Sequence, residues 1–122
     1  AIAWVYLLLN RLEEADKYSE LAYRADRQTI QIKGTRAAVL IEKGEYEYGK
    51  NLLINNVDFN FTNSETLAAS IYVGLAFYQL GQLKKAIKYI SFVENNLDLL
   101  DVDERTLYDR SKAIWQDLSN SD

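Results

Sequence analysis

Residues 69–93 read ASIYVGLAFYQLGQLKKAIKYISFV and contain two amphipathic helical patterns separated by Gly81. Gly74 and Ala86 lie in the middle of the two patterns, where small side chains let two helix backbones approach closely. Gly81 follows the last apolar residue of the first pattern, at a position that favours a left-handed backbone conformation. The stretch therefore predicts an antiparallel helix pair. The seam between the two helices is expected to contain Phe77, Leu83, Ile90 and Val93.

The order of small and large residues in this pair recurs twice upstream. Asn10, Gly44 and Gly81 mark three turns separated by 34 and 37 residues. Small residues fall at matching positions before and after each turn, and large residues fall between them. The small positions are Ala3, Ala37 and Gly74 before the turns and Ala15, Gly49 and Ala86 after them; the large ones are Tyr6, Leu40 and Phe77, then Leu12, Tyr46 and Leu83. This internal repeat predicts helix pairs over residues 1–28, 29–63 and 64–100.

A last helical pattern covers residues 103–118. Asp101 and Glu104 have the spacing of a capping box at its start, as Thr62 and Glu65 have before the third pair. Its apolar side is expected to contain Leu107, Ser111, Ile114 and Leu118, with Ala113 and Trp115 beside it. Its charged side contains Asp103, Arg105, Asp109, Arg110, Lys112 and Asp117. This helix is either the first half of a fourth unit or a helix that caps the exposed end of a stack.

Composition restricts the classes of function. The chain has 122 residues, 48% of them hydrophobic, which is enough for one domain with a core. Its net charge of −4, with Lys and Arg interspersed, disfavours nucleic acid as a partner. It has no histidine and no cysteine, so the commonest catalytic base and the commonest transition-metal ligands are missing. We expect no cofactor and no metal, and the cellular compartment stays open.

The first nine residues of the sequence form an apolar run that needs its own explanation. Residues 1–9, AIAWVYLLL, start inside an apolar helical pattern without a capping residue and without Met. We therefore expect the chain to be part of a longer protein. The apolar run is much shorter than the roughly 20 residues of a membrane span and lacks the basic start of a signal peptide. Its apolar side chains could also favour self-association; they are Ile2, Trp4, Val5 and Leu8.

The segment between the second and third pairs holds the extra residues of the longer spacing. Residues 55–64, NNVDFNFTNS, predict a loop that carries two phenylalanines. Phe59 and Phe61 either tuck under the neighbouring helices or form an exposed hydrophobic tip. The two alternatives differ in whether the loop is part of the core or part of a docking surface.

These columns of small and large residues, at a period of 34, resemble the tetratricopeptide repeat family. Gly74, Phe77, Gly81, Leu83 and Ala86 carry the resemblance in the third unit, and the segment LNRLEEADKY carries it in the first. The chain departs from the family pattern because it has no proline at the unit junctions and has Asn10 in place of a turn glycine. The resemblance implies an all-α fold: a right-handed superhelix of about three helix pairs plus a C-terminal capping helix.

The resemblance also implies a binding surface, because the first helices of such units line a concave groove that holds a peptide or a partner helix. We expect the chain to be a scaffold or adaptor for another protein. The implied groove positions are Trp4, Leu7 and Leu8; Gln31, Gly34, Ala38, Ile41 and Glu42; Ala68, Ile71, Leu75, Tyr78 and Gln79; and Arg105, Tyr108, Lys112 and Trp115. Relatives that bind carboxylate-terminated tails have Lys, Asn and Arg where this chain has Gly34, Ala38, Ile71 and Tyr72. A carboxylate clamp is therefore not expected.

Two alternatives to an adaptor stay open, and catalysis is not expected. The chain could sense a small molecule or peptide as part of a larger regulator, or it could associate with a second copy of itself. No phosphate-binding loop or nucleophile motif is present in the sequence. The acidic group Asp98, Asp101, Asp103 and Glu104 lacks the glycine and the distal glutamate of a calcium-binding loop, and we assign it to helix capping.

Overall fold

The computed structural model describes residues 2–119, and all regular secondary structure in that range is helical. The α-helices are α1 (Ile2–Leu8), α2 (Leu12–Ala25), α3 (Ile30–Glu42), α4 (Tyr46–Leu53), α5 (Ser64–Gln79), α6 (Leu83–Glu94) and α7 (Val102–Ser119). Two short 3₁₀ helices, Ile54–Asn56 and Leu97–Leu99, follow α4 and α6. The all-α class is confirmed, while the superhelical arrangement stays a prediction.

The three predicted turns share one backbone conformation. Asn10, Gly44 and Gly81 have φ angles of 59°, 99° and 79°. At each turn the N–H of this residue donates to a carbonyl three positions earlier, and the next N–H donates to one five positions earlier. This pair of hydrogen bonds is the Schellman motif, which ends a helix through one left-handed residue. Each of α1, α3 and α5 therefore ends in the same way and passes directly into a second helix.

Close backbone contact in the helix pairs explains the small residues. A Cβ atom on Gly49 would lie 2.6 Å from Ile41 Cγ1 and 2.8 Å from the carbonyl oxygen of Ala37, so α4 packs on α3 at a distance that only glycine permits. A Cβ on Gly74 would lie 3.0 Å from Ile90 Cγ1 across the α5–α6 seam. The prediction that small residues mark the seams is confirmed at these positions.

Two predicted core residues are wrong. Leu83 is 44% exposed, because it is the first residue of α6 and lies at the edge of the face buried by Ala86, Ile90 and Val93. Ile114 is also 44% exposed, and the neighbouring Trp115 is fully buried instead. Trp115 lies four residues after Ser111 and eight after Leu107, so the regular helical period places it on the buried face and places Ile114 at the edge of that face. The backbone of α7 departs from helical geometry only at Trp115 itself, with φ −95° and ψ 18°.

Of the two capping boxes that the sequence predicts, the structure contains one and differs from the other. The Glu104 N–H donates to Asp101 Oδ1 at 2.7 Å, and the Asp101 N–H donates to Glu104 Oε1 at 3.1 Å, so this capping box is confirmed. At α5 the capping residue is Asn63, whose Oδ1 accepts from the Thr66 N–H at 2.9 Å. The predicted box that starts at Thr62 is wrong by one residue, because the helix begins at Ser64.

The loop before α5 places its two phenylalanines differently. Phe59 packs against α6, with ring centroids 5.1 Å from Tyr89 and 5.0 Å from Phe92. Lys88 Nζ lies 4.8 Å from the centroid of the same Phe59 ring. Phe61 is 64% exposed. Of the two alternatives for this loop, tucking holds for Phe59 and exposure holds for Phe61.

The odd-numbered helices form a continuous layer. Helix α3 packs on α1 and α5, and α7 packs on α5. Helix α7 also contacts α1, so the four helices meet around a common centre. We call α1, α3, α5 and α7 the inner layer. Helices α2, α4 and α6 pack against its outside, and the hydrophobic core lies between them and the inner layer.

Candidate functional site

Polar groups from all four inner helices converge at the middle of the inner layer. Arg110 Nη2 of α7 donates to Glu42 Oε2 of α3 at 2.8 Å and to the carbonyl oxygen of Leu7 in α1 at 2.9 Å. Tyr72 of α5 donates its hydroxyl to the same Glu42 oxygen at 2.5 Å. The Glu42 and Arg110 side chains are 15% and 25% exposed, so water screens their attraction only weakly. We call Glu42 and Arg110 the central ion pair.

The surroundings of the central ion pair raise the pKa of Tyr72 and that of Arg110. Burial raises the pKa of the Tyr72 hydroxyl well above its ordinary value, and the Glu42 carboxylate raises it further. Burial lowers the pKa of Arg110, but the hydrogen bond and charge of Glu42 more than offset this and raise that pKa overall. Tyr72 therefore stays a neutral donor and Arg110 stays a cation at neutral pH.

A cavity of about 660 Å³ opens beside the N-terminal halves of the inner helices. We call it the large cavity. Much of its wall comes from small residues, which leave the space unfilled; they are Ala3, Gly34, Ala38, Ala68 and Ala69. Trp4 and Ile30 add larger apolar surface, and Tyr72 forms part of the wall next to the central ion pair. A volume of this size is typical of a ligand pocket.

The polar part of this wall is acidic and amide-rich. Its side chains include Gln31, Asn55, Asn56, Asn63, Glu65 and Glu104. Gln31 Nε2 of α3 donates to Glu65 Oε1 of α5 at 3.1 Å, so a hydrogen bond links two helices at the cavity. Glu104 is buried and accepts the Ser64 hydroxyl as well as its own capping hydrogen bond. No lysine or arginine within the described range lines this cavity.

A smaller cavity of about 250 Å³ lies toward the C-terminal ends of α3 and α5. Both members of the central ion pair line it, together with Ile41, Leu75 and Gln79. Tyr72 lines the large cavity and donates to Glu42, which lines the small one. The hydrogen bond between them therefore lies between the two spaces, and the inner surface is interrupted at its middle.

The groove residues implied by the resemblance occupy three kinds of position. Seven are buried: Leu7, Ala38, Ile41, Ile71, Leu75, Tyr108 and Trp115. Six are half-buried: Trp4, Leu8, Gly34, Glu42, Ala68 and Tyr78. Gln31, Gln79, Arg105 and Lys112 are exposed. Their role in binding stays a prediction; among the buried ones, Ala38 lines the large cavity, and Ile41 and Leu75 line a smaller one.

The structure brings these residues together in separate groups. Trp4 and Ala38 line the large cavity, as do Gln31, Gly34 and Ala68, which the same resemblance implied. Ile41, Glu42, Leu75 and Gln79 line the small one. The Tyr78 hydroxyl donates to Asp117 of α7 at 2.5 Å, and Lys112 Nζ lies 5.8 Å from the Tyr108 ring centroid. The proposed groove is thus divided between two cavities and the contact with α7.

Sequence reasoning placed Arg110 on the charged outer side of the last helix, and this is wrong. Arg110 points inward because Glu42 and the Leu7 carbonyl oxygen both accept from it. A signal was available: Arg110 lies three residues after Leu107, at a spacing that shares a helix face. The amides of Asn55, Asn56 and Asn63 were also missed, because a loop gives no periodic pattern.

Comparison of the chain with known proteins identifies no relative. No family model, no curated protein and no solved structure matches the chain. None of the helices between residues 2 and 119 is long and apolar enough to cross a membrane. Over the same range, no group of three or more Asp and Glu side chains is arranged to hold a metal ion. We therefore infer the function from the cavities and side chains of the inner layer.

Proposed function

We propose that this chain is a protein-interaction module, built as a short superhelix of tetratricopeptide-like helix pairs, which binds a segment of another protein at its inner layer. The single observation that carries the proposal is the large cavity, which lies mainly on the inner helices and is lined by Trp4 and by several small residues, with Ser19 and Ala22 of α2 and Leu53 of α4 completing the wall. The Schellman turns at Asn10, Gly44 and Gly81 support the same unit in three copies. The proposal assigns no catalytic step, cofactor or metal to the chain.

The chemistry of the cavity wall restricts the bound segment. Glu65 and Glu104 disfavour phosphate groups and acidic side chains, because like charges repel in a partly buried space. The amides of Gln31, Asn55 and Asn56 can exchange hydrogen bonds with a peptide backbone. The small apolar residues leave room for an apolar side chain. A neutral or basic peptide with one bulky apolar residue agrees best with this wall.

A cavity-filling variant tests the proposal. A Cβ atom on Gly34 would have Leu53 Cδ2, at 3.9 Å, as its only close neighbour, and Gly34 lines the large cavity, so Gly34→Trp is chosen to fill that cavity with a large side chain. Ser91→Trp, on the exposed face of α6, is the matched control. Peptides selected from a random display library against the full chain should bind the Ser91→Trp variant as they bind the parent chain. They should lose at least about ten-fold in affinity for Gly34→Trp; equal affinity for both variants would refute binding in the cavity.

A small-molecule sensor is the second candidate, and the cavity volume favours it specifically. About 660 Å³ lies within the range that holds a drug-sized ligand. A metabolite panel that raises the melting temperature of the parent chain but not of Gly34→Trp would favour this candidate.

Self-association is a third candidate, because Ile2 and Val5 of α1 and Leu9 directly after it are exposed. Light scattering on the parent chain tests it directly.

A further inference from the structure

Helix α7 departs from the packing rule that the other units follow. The second helix of one pair packs on the first helix of the next, as α2 packs on α3 and α4 packs on α5. A fourth unit would continue with α6 packed on α7. Instead, the backbone of α7 packs on α5 and reaches α1 at the other end of the inner layer. A hydrogen bond of 2.7 Å from the Tyr108 hydroxyl to Glu94 links α7 to the last residue of α6. Helix α7 therefore lies on the inner surface rather than at the end of the stack.

Polar contacts hold α7 to α3 and α5 along its length. Near its start, Glu104 accepts the Ser64 hydroxyl. In its middle, Arg110 pairs with Glu42. Near its end, Asp117 accepts the Tyr78 hydroxyl. Since Ser64 and Tyr78 begin and end α5, these contacts run in the same direction on both helices, and α7 lies parallel to α5.

The apolar contacts of α7 have the pattern of a helix docked in a groove. Leu107, Tyr108, Ser111 and Trp115 are all buried, and their spacing places them on one face. The opposite face is solvated: Arg105 and Asp109 form an exposed ion pair there at 3.3 Å. Anchors at positions i, i+4 and i+8 are the usual way in which an amphipathic helix lies in a hydrophobic groove.

We propose that α7 covers, within the chain, the surface that a partner helix binds, and that the partner is an amphipathic helix which displaces α7 and places a guanidinium group where Arg110 lies. This inference rests on the proposed function and deepens it by naming the partner class. In the chain as described, α7 occupies this surface with its own Leu107, Tyr108 and Trp115 buried against it.

The requirement for a guanidinium group follows from the acceptors beneath α7. Glu42 already receives the Tyr72 hydroxyl, yet a largely buried carboxylate still needs a cation. The Leu7 carbonyl oxygen lies in the last turn of α1, where an added donor is favourable. One planar guanidinium can donate to both oxygens, whereas an amide cannot neutralise the carboxylate. An acidic partner helix would be repelled by Glu42.

A synthetic peptide with the sequence of residues 102–119 is the probe, because it carries the contacts already described. In the full chain, Arg110→Gln weakens the chain's own α7 and leaves Glu42 without its cation. The labelled peptide should then bind this variant at least about ten-fold more tightly than the parent chain, since less of the protein is in the covered state. A peptide with the same Arg110→Gln change should bind about ten-fold more weakly than the unmodified peptide. Asp103→Asn, at an exposed position of α7 in chain or peptide, is the control and should change neither affinity.

Hydrogen exchange distinguishes displacement from binding elsewhere. On peptide addition, the α7 amides of the chain should lose protection while those of α3 and α5 keep it.

If Arg110→Gln does not fold, Asp117→Asn, which weakens only the Tyr78 contact, serves as the second variant. Equal affinity of the Arg and Gln peptides, or peptide binding with α7 still protected, would overturn the proposal. So would a dimer that excludes the peptide, because the surface would then belong to a second copy. None of these results changes the Gly34→Trp test, so the failure of the proposed function and of this inference can be told apart.

Discussion

The two halves of the inner layer are built from the same helices, yet one is closely packed and the other is open. At the middle and toward the C-terminal ends, Glu42, Arg110 and Trp115 fill most of the space between helices and leave a cavity of only about 250 Å³. At the N-terminal ends, Gly34 and Ala68 leave the large cavity of about 660 Å³. Because the backbone layer is shared, the difference lies in the size and charge of a few side chains.

The two tryptophans should give the largest contrast between these halves. Trp115 is fully buried in the packed half, so Trp115→Ala should lower the free energy of unfolding by about 3 to 5 kcal/mol. Trp4 is half-buried at the large cavity, and Trp4→Ala should lower it by only about 1 kcal/mol. Urea unfolding followed by circular dichroism measures both. Similar losses for the two variants would contradict the division into a packed and an open half.

The central ion pair should give the second largest effect. Arg110→Gln leaves the Glu42 carboxylate without its cation in a site that is only 15% exposed, and should cost about 2 kcal/mol. Arg105→Gln breaks the exposed pair with Asp109 on the same helix and should cost less than about 0.5 kcal/mol. A double variant, Glu42→Gln with Arg110→Gln, should recover part of the loss because no buried charge remains. If the double variant is less stable than Arg110→Gln alone, the charge argument fails.

Alkaline pH should lower the free energy of unfolding through Tyr72, which lies at the boundary between the two halves. Because burial and then the Glu42 carboxylate raise the pKa of Tyr72, the folded chain keeps this proton at a pH where the unfolded chain releases it. Its contribution to stability is therefore complete below about pH 10 and falls as pH rises above that value. Tyr72→Phe should reduce this slope by about 1 kcal/mol per pH unit. Unfolding curves at several alkaline pH values measure it, with the exposed Tyr48→Phe variant as control; an unchanged slope in Tyr72→Phe would refute the assignment.

Replacing glycine by alanine should give the smallest change in stability. The change should be stabilising at Gly34, in the open half, and destabilising at Gly49, in the packed seam between α3 and α4. Gly34 lies within α3 with free space at its Cβ position, so Gly34→Ala should stabilise the chain by about 0.5 to 1 kcal/mol. Gly49→Ala places a methyl group 2.8 Å from the Ala37 carbonyl oxygen and should destabilise the chain. Thermal unfolding compares the two directly. A stabilising Gly49→Ala would show that the α3–α4 seam can open at little cost.

Local chemistry made part of this fold predictable from sequence. Asn10, Gly44 and Gly81 were identified as turns because few other residues tolerate positive φ, and this preference does not depend on distant contacts. The Asp101–Glu104 capping box was identifiable for the same reason. Small residues at a fixed period marked the seams, since only they allow the observed approach of Gly49 to Ile41.

Partners that come from distant helices were not predictable. Arg110 shares a helix face with Leu107, which indicates its direction, but no pattern in α7 contains its partners, the Glu42 carboxylate of α3 and the Leu7 carbonyl oxygen of α1. The burial of Trp115 agrees with the spacing of Leu107 and Ser111, so periodicity favoured Trp115 over Ile114. The large cavity itself depends on which small residues face one another across helices, and the sequence gives their size but not their pairing.

The hydrogen bond from Arg110 to the Leu7 carbonyl oxygen has a consequence for how the chain unfolds. It joins residues 103 positions apart, whereas a linear array of helix pairs makes contacts only between neighbours and can fray independently from either end. This hydrogen bond and the packing of α7 on α1 couple the first and last helices of the described range, so that losing one weakens the other. Melting should accordingly be all-or-none in the parent chain and become stepwise once that coupling is cut.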